Sequence, residues 1–301
     1  MTLEWSSFIN KRLPLSGNLP DYFKNTINKA WQQHYEELYE PEADGDVSLQ
    51  DTLNEILELF RDSSEILGQI RYVWMGLILA SAVEPTLKYY QPNNSIPENT
   101  ISRISVWLLE TIAEMIDSKN RTLQITIEEE ANAILKAIDI FSTNKKIASF
   151  QILSEALDVY SSALKTLDYN QSLEALLDIL DDCLEGYAIF PGSYGRRELF
   201  DWWLLDVVPA SWYLLPPSSI YSINKLPNKE KNLVLRHLNR LQKISLAMWS
   251  IILNNYQNGQ RVSLPNVSSK FEYSLNKMEL SNLKIINLFQ IKDISIYEYS
   301  N

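Results

Sequence analysis

Ser48-Leu-Gln-Asp-Thr-Leu-Asn-Glu-Ile-Leu-Glu-Leu-Phe60 carries a complete helix signature in one short run. Ser48 is a residue type whose hydroxyl takes up a free first-turn amide, and Asp51 places an acid three residues on. Leu53, Ile56, Leu57 and Phe60 then recur at three- and four-residue spacing, which puts them on one helical face. The same grammar repeats outward along the chain. Ser95-Ile-Pro97-Glu98 joins a capping box to a proline at a helix start, ahead of Ile101, Ile104, Leu108 and Ile112. Thr126-Ile-Glu-Glu129 precedes Ala131, Ile134, Ile138 and Phe141, and Asp168-Tyr-Asn-Gln171 precedes Leu173, Leu176, Leu177 and Leu180. Only 8 glycines occur in 301 residues, so little interrupts this periodicity.

The pattern predicts an all-α chain with helices over 20–40, 48–90 (two helices, or one bent at Pro85), 97–118, 126–142, 144–165, 169–186, 195–213 and 228–256. Pro85 lies inside the second of these and is expected to bend or break it. Short connections imply antiparallel helix pairs, either an irregular multi-helix bundle or a short α-solenoid. No self-similar period favours a regular repeat array. After Asn258-Gly259 the composition turns polar, with weak alternation at Lys284–Ile291 and Ile294–Tyr299. Residues 1–258 therefore read as the helical domain and 259–301 as a C-terminal extension of short strands or coil.

Composition narrows function by exclusion. A net charge of −11 disfavours direct binding to nucleic acid or to anionic membranes, and favours salt-sensitive encounter with a basic protein partner. The single Cys183 rules out a disulfide framework and fits a reducing compartment. The N-terminus shows no signal-peptide pattern, and the apolar run Val73–Val83, bracketed by Arg71 and Glu84, is short for a bilayer; a cytoplasmic protein is expected. With His34 and His237 far apart and no Glu-x-x-His pair, no metal site or cofactor is expected. Carboxylates beside Cys183 work against a thiolate nucleophile. The carboxylates Asp178, Asp181 and Asp182 read first as a solvated helix face.

Two stretches remain as candidate contact surfaces. Glu36-Glu-Leu-Tyr-Glu-Pro-Glu-Ala-Asp-Gly-Asp46 holds six carboxylates, Glu36, Glu37, Glu40, Glu42, Asp44 and Asp46, with no Lys or Arg. It is either a landing strip for a basic partner, with Tyr35 and Tyr39 as aromatic anchors, or a solvated helix end. The second is the turn Pro191-Gly-Ser-Tyr194-Gly195 leading into Arg196-Arg-Glu-Leu-Phe-Asp-Trp-Trp203, where three of the eight tryptophans gather by Trp212. Leu199, Trp202, Trp203, Leu205 and Val208 are the residues of a core face, while Arg197 has Asp201 four residues on as an ion-pair partner. Arg196 has no such local partner; exposed beside Tyr194, it would form a recognition patch.

The segment Arg71-Tyr-Val-Trp-Met-Gly-Leu-Ile-Leu-Ala-Ser-Ala-Val-Glu-Pro85, followed by Tyr90-Gln-Pro92-Asn-Asn-Ser-Ile-Pro97, resembles an α-helical predicted immunity-protein family of bacterial polymorphic toxin systems, the fifth in the usual numbering. The Arg196–Trp203 helix with its Val207-Val-Pro-Ala-Ser-Trp212 ending is similar to the same family. The resemblance implies a non-enzymatic inhibitor that sequesters a toxin; a nuclease toxin is basic because it must hold phosphate, and an acidic inhibitor complements it. Two other classes stay open: a scaffold component of a larger assembly, and an enzyme with a carboxylate/arginine pocket.

Overall fold

A central helix organises the protein. The computed structural model describes residues 19–40, 45–62, 65–117, 134, 147–189, 195–221 and 228–257. The elements are α1 (Asp21–Gln32), a 3-10 turn at Glu36–Leu38, α2 (Leu49–Glu58), a second 3-10 turn at Leu59–Asp62, α3 (Glu65–Tyr90), α4 (Ile96–Asp117), α5 (Ile147–Lys165), α6 (Ser172–Leu184), α7 (Arg196–Trp202), a π-helical segment at Trp203–Val207, α8 (Val208–Trp212) and α9 (Asn228–Gln257). Helix accounts for 80% of the described region and no strand occurs among the described residues, so the class is all-α.

Helix α3 is buried nearly all round and packs against α4, α5, α6, α8 and α9. Its neighbours gather around it as a bundle, with α4 also touching α5 and α9, instead of stacking pair upon pair as in a solenoid. By length and composition α3 passes as a membrane span, but 89% of that window is buried inside the protein, as in the core helix of a bundle. The charges that bracket its apolar run are themselves internal: Arg71 and Glu84 are each 1% exposed. Pro85 does not break the helix, which continues to Tyr90. The proline removes the donor that would face the Ser81 carbonyl and crowds that carbonyl with its ring, and the dense packing of the surrounding helices outweighs that cost.

Local signals explain the other boundaries. Ser48 Oγ accepts the Asp51 N–H (3.1 Å), and Leu53, Ile56, Leu57 and Phe60 are all fully buried. At the start of α4 the cap comes from Asn94, whose Oδ1 accepts the Ile96 N–H (2.8 Å). Helix α1 ends at Gln32, earlier than the sequence suggests, because residues 33–35 turn extended to seat Tyr35 in the core. The expected helix over 126–142 and the extension 259–301 lie outside the described residues, apart from Ile134, which is helical and buried.

The aromatic stretch from Arg196 to Trp212 is continuous helical backbone with one π turn. Pro209 has no N–H for the Leu205 carbonyl, and widening the preceding turn accommodates it. Within that turn the buried Asp206 accepts from Ser218 N (2.8 Å), Ser218 Oγ (2.7 Å) and Ser219 N (3.2 Å), which holds the following loop against the helix. The helix stops in a Schellman arrangement, with Leu214 at φ 55° and Leu215 N donating to Ala210 O (2.9 Å). A leucine in the left-handed region costs about 1–2 kcal/mol. Side-chain donors offset it by satisfying four successive carbonyls: Arg71 Nε to Trp212 O (3.0 Å), Trp249 Nε1 to Tyr213 O (3.2 Å), Ser245 Oγ to Leu214 O (2.8 Å) and Trp74 Nε1 to Leu215 O (2.8 Å). These bonds fasten α3, α8 and α9 together.

A second buried polar contact joins α9 to α3. Glu84 Oε2 accepts from Arg240 Nη2 (2.6 Å) and lies 3.2 Å from His237 Nδ1. Burial works to raise the Glu84 pKa, but the His237 hydrogen bond and the Arg240 charge outweigh it and hold the carboxyl down at about 2.

Candidate functional site

The acidic strip divides between structural and exposed roles. Tyr35 and Leu38 are buried and pin the Glu36–Leu38 turn to the core, where Tyr35 meets Phe200 edge-on (5.4 Å between centroids). Glu37 turns inward: its Oε1 accepts the Leu49 N–H (3.1 Å) and so satisfies a free amide at the start of α2. Glu36, Glu40 and Asp46 are exposed, and so is Tyr39, at 52%. Tyr39 stacks on the exposed ring of His34, with centroids 4.8 Å apart and planes 18° from parallel. Glu42, Asp44 and Tyr194 lie outside the described residues.

The two arginines face inward, which corrects the expected recognition patch. Arg196 is only 3% exposed; its Nη2 donates to the Glu185 carbonyl and its guanidinium lies over the Tyr187 ring (5.6 Å). It therefore presents no cation to solvent. The N-terminus of α7 is tucked against the end of α6, and a carbonyl eleven residues upstream supplies the partner that local spacing could not reveal. Arg197 forms the expected ion pair with Asp201 (3.1 Å). It also donates from Nη1 to Gln33 O (2.8 Å) and from Nη2 to Trp31 O, clamping the chain on both sides of Gln32 to α7. Leu199, Trp203, Leu205 and Val208 are core residues, and Trp202 is buried with its Nε1 donating to Ser219 O (2.9 Å).

Sequence reasoning missed the acidic face built by α5 and α6. Asp178, Asp181, Asp182 and Glu185 follow helical spacing along α6, and the α5 residues Glu155 and Asp158 meet them across the helix pair. Asp178 and Asp181 are exposed, as the solvated-face reading has it; Asp182, Glu155 and Asp158 are partly buried between the helices. Burial, and then the charges of Asp158, Glu155, Asp181 and Asp178, push the Asp182 carboxyl up to about 8. Burial likewise raises Glu155, Asp158, Asp178, Asp181 and Glu185. The Tyr187 N–H and Gln151 Nε2 (3.0 Å) both donate to Glu155. Gly186 makes that reach possible, since a Cβ there would stand 2.6 Å from the Asp182 carbonyl and 2.9 Å from Glu155 Oε2. Cys183 is buried beneath, its thiol pushed up by burial first and then by Asp182 and Glu155, so a reactive thiolate is disfavoured.

The fold brings the two acidic regions together. Glu185 feels the charges of both Asp181 and Glu37, which joins the α5–α6 carboxylates to the Glu36–Leu38 turn. The α6 helix also touches α2 and α7, the elements that carry and clamp that turn. Like charges so grouped attract cations, but no group of three or more His, Cys, Asp or Glu among the described residues is arranged to hold a metal ion. What the arrangement can do chemically is bind Lys or Arg side chains over a broad face.

No family model matches the chain, no curated protein matches it, and no solved structure matches it.

Proposed function

We propose that this chain is an acidic helical binding protein that holds a basic protein partner by surface complementarity, in the manner of an immunity-like inhibitor. The observation that carries the reading is the approach of two acidic segments far apart in sequence: Glu37 of the Glu36–Leu38 turn acts on Glu185 at the end of α6, whose neighbours are the α5–α6 carboxylates. Those carboxyls repel one another, and Lys165 is the cation that acts on Asp158 and Asp178. A cationic partner relieves that repulsion, so association gains both speed and affinity from it. The likeness of the Arg71–Pro85 and Arg196–Trp212 segments to an immunity family supports a toxin as the partner class, and a nuclease toxin supplies the basic surface.

The test uses the purified chain and the partner isolated from its native host, reconstituted from pure components. Association rates are measured across ionic strength for the native chain and for a Glu36→Gln, Glu40→Gln, Asp181→Asn variant. The rate is expected to fall steeply with salt in the native chain and to fall less in the variant, with folding unchanged. Equal salt dependence in both proteins refutes the acidic face as the docking surface.

A further inference from the structure

We infer that the exposed Tyr39–His34 ring pair is the anchor of this acidic face and receives an arginine side chain of the partner. The inference rests on the reading of the face as a docking surface and names the chemistry at its centre. Tyr39 is 52% exposed, and its ring stacks on the exposed imidazole of His34. Glu36 and Glu40 flank Tyr39 in sequence and are exposed with it, and Asp46 is exposed at the far end of the strip. An exposed ring with exposed carboxylates next to it in sequence suits a guanidinium, whose plane stacks on a ring while its edges donate to carboxylate oxygens. A lysine ammonium, compact and strongly hydrated, uses the carboxylates but gains less from the ring.

The frame beneath the pair is fixed before any partner arrives. Tyr35 and Leu38 are 1% exposed on either side of Glu36 and Glu37, Arg197 clamps the Trp31 and Gln33 carbonyls, and Glu37 ties the turn to the start of α2. The rings therefore sit on a rigid support, and little ordering cost is left for binding. Tyr39 and His34 have no comparable role in the core, since both are exposed.

The experiment titrates the full chain with oligo-arginine and oligo-lysine peptides of equal length, in the native protein and in Tyr39→Ala, Tyr39→Phe and His34→Ala variants. The native chain is expected to prefer the arginine peptide, and Tyr39→Ala to reduce that preference about two- to fivefold, the value of one exposed cation–π contact. Tyr39→Phe keeps the preference because the ring remains. His34→Ala reduces it part-way by freeing Tyr39 to move. An arginine-to-lysine ratio that is the same in the native and Tyr39→Ala proteins overturns the anchor while leaving the acidic face intact. Failure of the native chain to bind either peptide removes the acidic face itself, and the anchor with it.

Discussion

Replacing Asp182 by Asn is expected to stabilise the protein at neutral and alkaline pH, with the gain vanishing only as pH falls below the unfolded carboxylate range. Asp182 stands at about 8 in the folded chain because of burial and then the charges of Asp158, Glu155, Asp181 and Asp178. An unfolded aspartate titrates near about 4. Between those values the native state binds one more proton than the unfolded state, so stability falls as pH rises through the window. The slope for one such group is at most about 1.4 kcal/mol per pH unit, which gives a ceiling of roughly 5 kcal/mol across it. Asp182 is only partly buried and water screens the charges around it, so the realised difference between Asn and Asp is about 1–3 kcal/mol at the upper end. Urea unfolding followed by tryptophan emission over a pH series measures it. Glu155, Asp158, Asp178 and Asp181 are raised in the same sense, so the variant keeps a residual slope of the same sign. A variant that is no more stable than the native chain at the alkaline end refutes the claim that these carboxyls crowd one another.

Two further perturbations probe the core. Glu84→Gln leaves Arg240 beside a buried neutral amide and is expected to cost about 3–5 kcal/mol by chemical denaturation. The Glu84 pKa is depressed, so its contribution is present above the unfolded carboxylate range and is lost only as pH falls toward about 2; an intact acid limb in the variant contradicts the pairing. Trp203→Ala is expected to cost about 3–5 kcal/mol, because the ring is fully buried against Phe200 (5.9 Å between centroids), and a loss of thermal stability near zero places the ring outside the core.

Element type was legible in the sequence wherever a start signal met a clean apolar period. The Ser48 cap and the Leu53, Ile56, Leu57, Phe60 face stand as read, and so does the Arg197–Asp201 pair, because each depends on neighbours within a turn or two. The misreadings have one cause: their deciding partners are distant along the chain. Pro85 is tolerated because other helices enclose α3, and the seat of Tyr35 beside Phe200 shortens α1. The site was half legible. Charge density marked the Glu36–Asp46 strip, and helical spacing aligned Asp178, Asp181, Asp182 and Glu185. Nothing local to either segment says that Glu155 and Asp158 face α6, or that Glu37 lies near Glu185.

The placement of the arginines strengthens the case for an acidic exterior beyond the net charge of −11. Arg71 gives its Nε to the Trp212 carbonyl, Arg196 bonds the Glu185 carbonyl, Arg197 bonds the Trp31 and Gln33 carbonyls, and Arg240 is tied to the buried Glu84. Each of these cations is buried or partly buried and engaged by carbonyls or by a carboxylate. Guanidinium suits that use, since it offers several directed donors and is weakly hydrated for a cation. The consequence is electrostatic as well as structural. Positive charge drawn to fixed positions inside the fold cannot swing out to neutralise Glu36, Glu40, Asp178 or Asp181, which stay exposed. The same interactions that close the bundle therefore withhold these four guanidinium groups from the exposed carboxylates, and among the described residues Lys165 is left to act on Asp158 and Asp178.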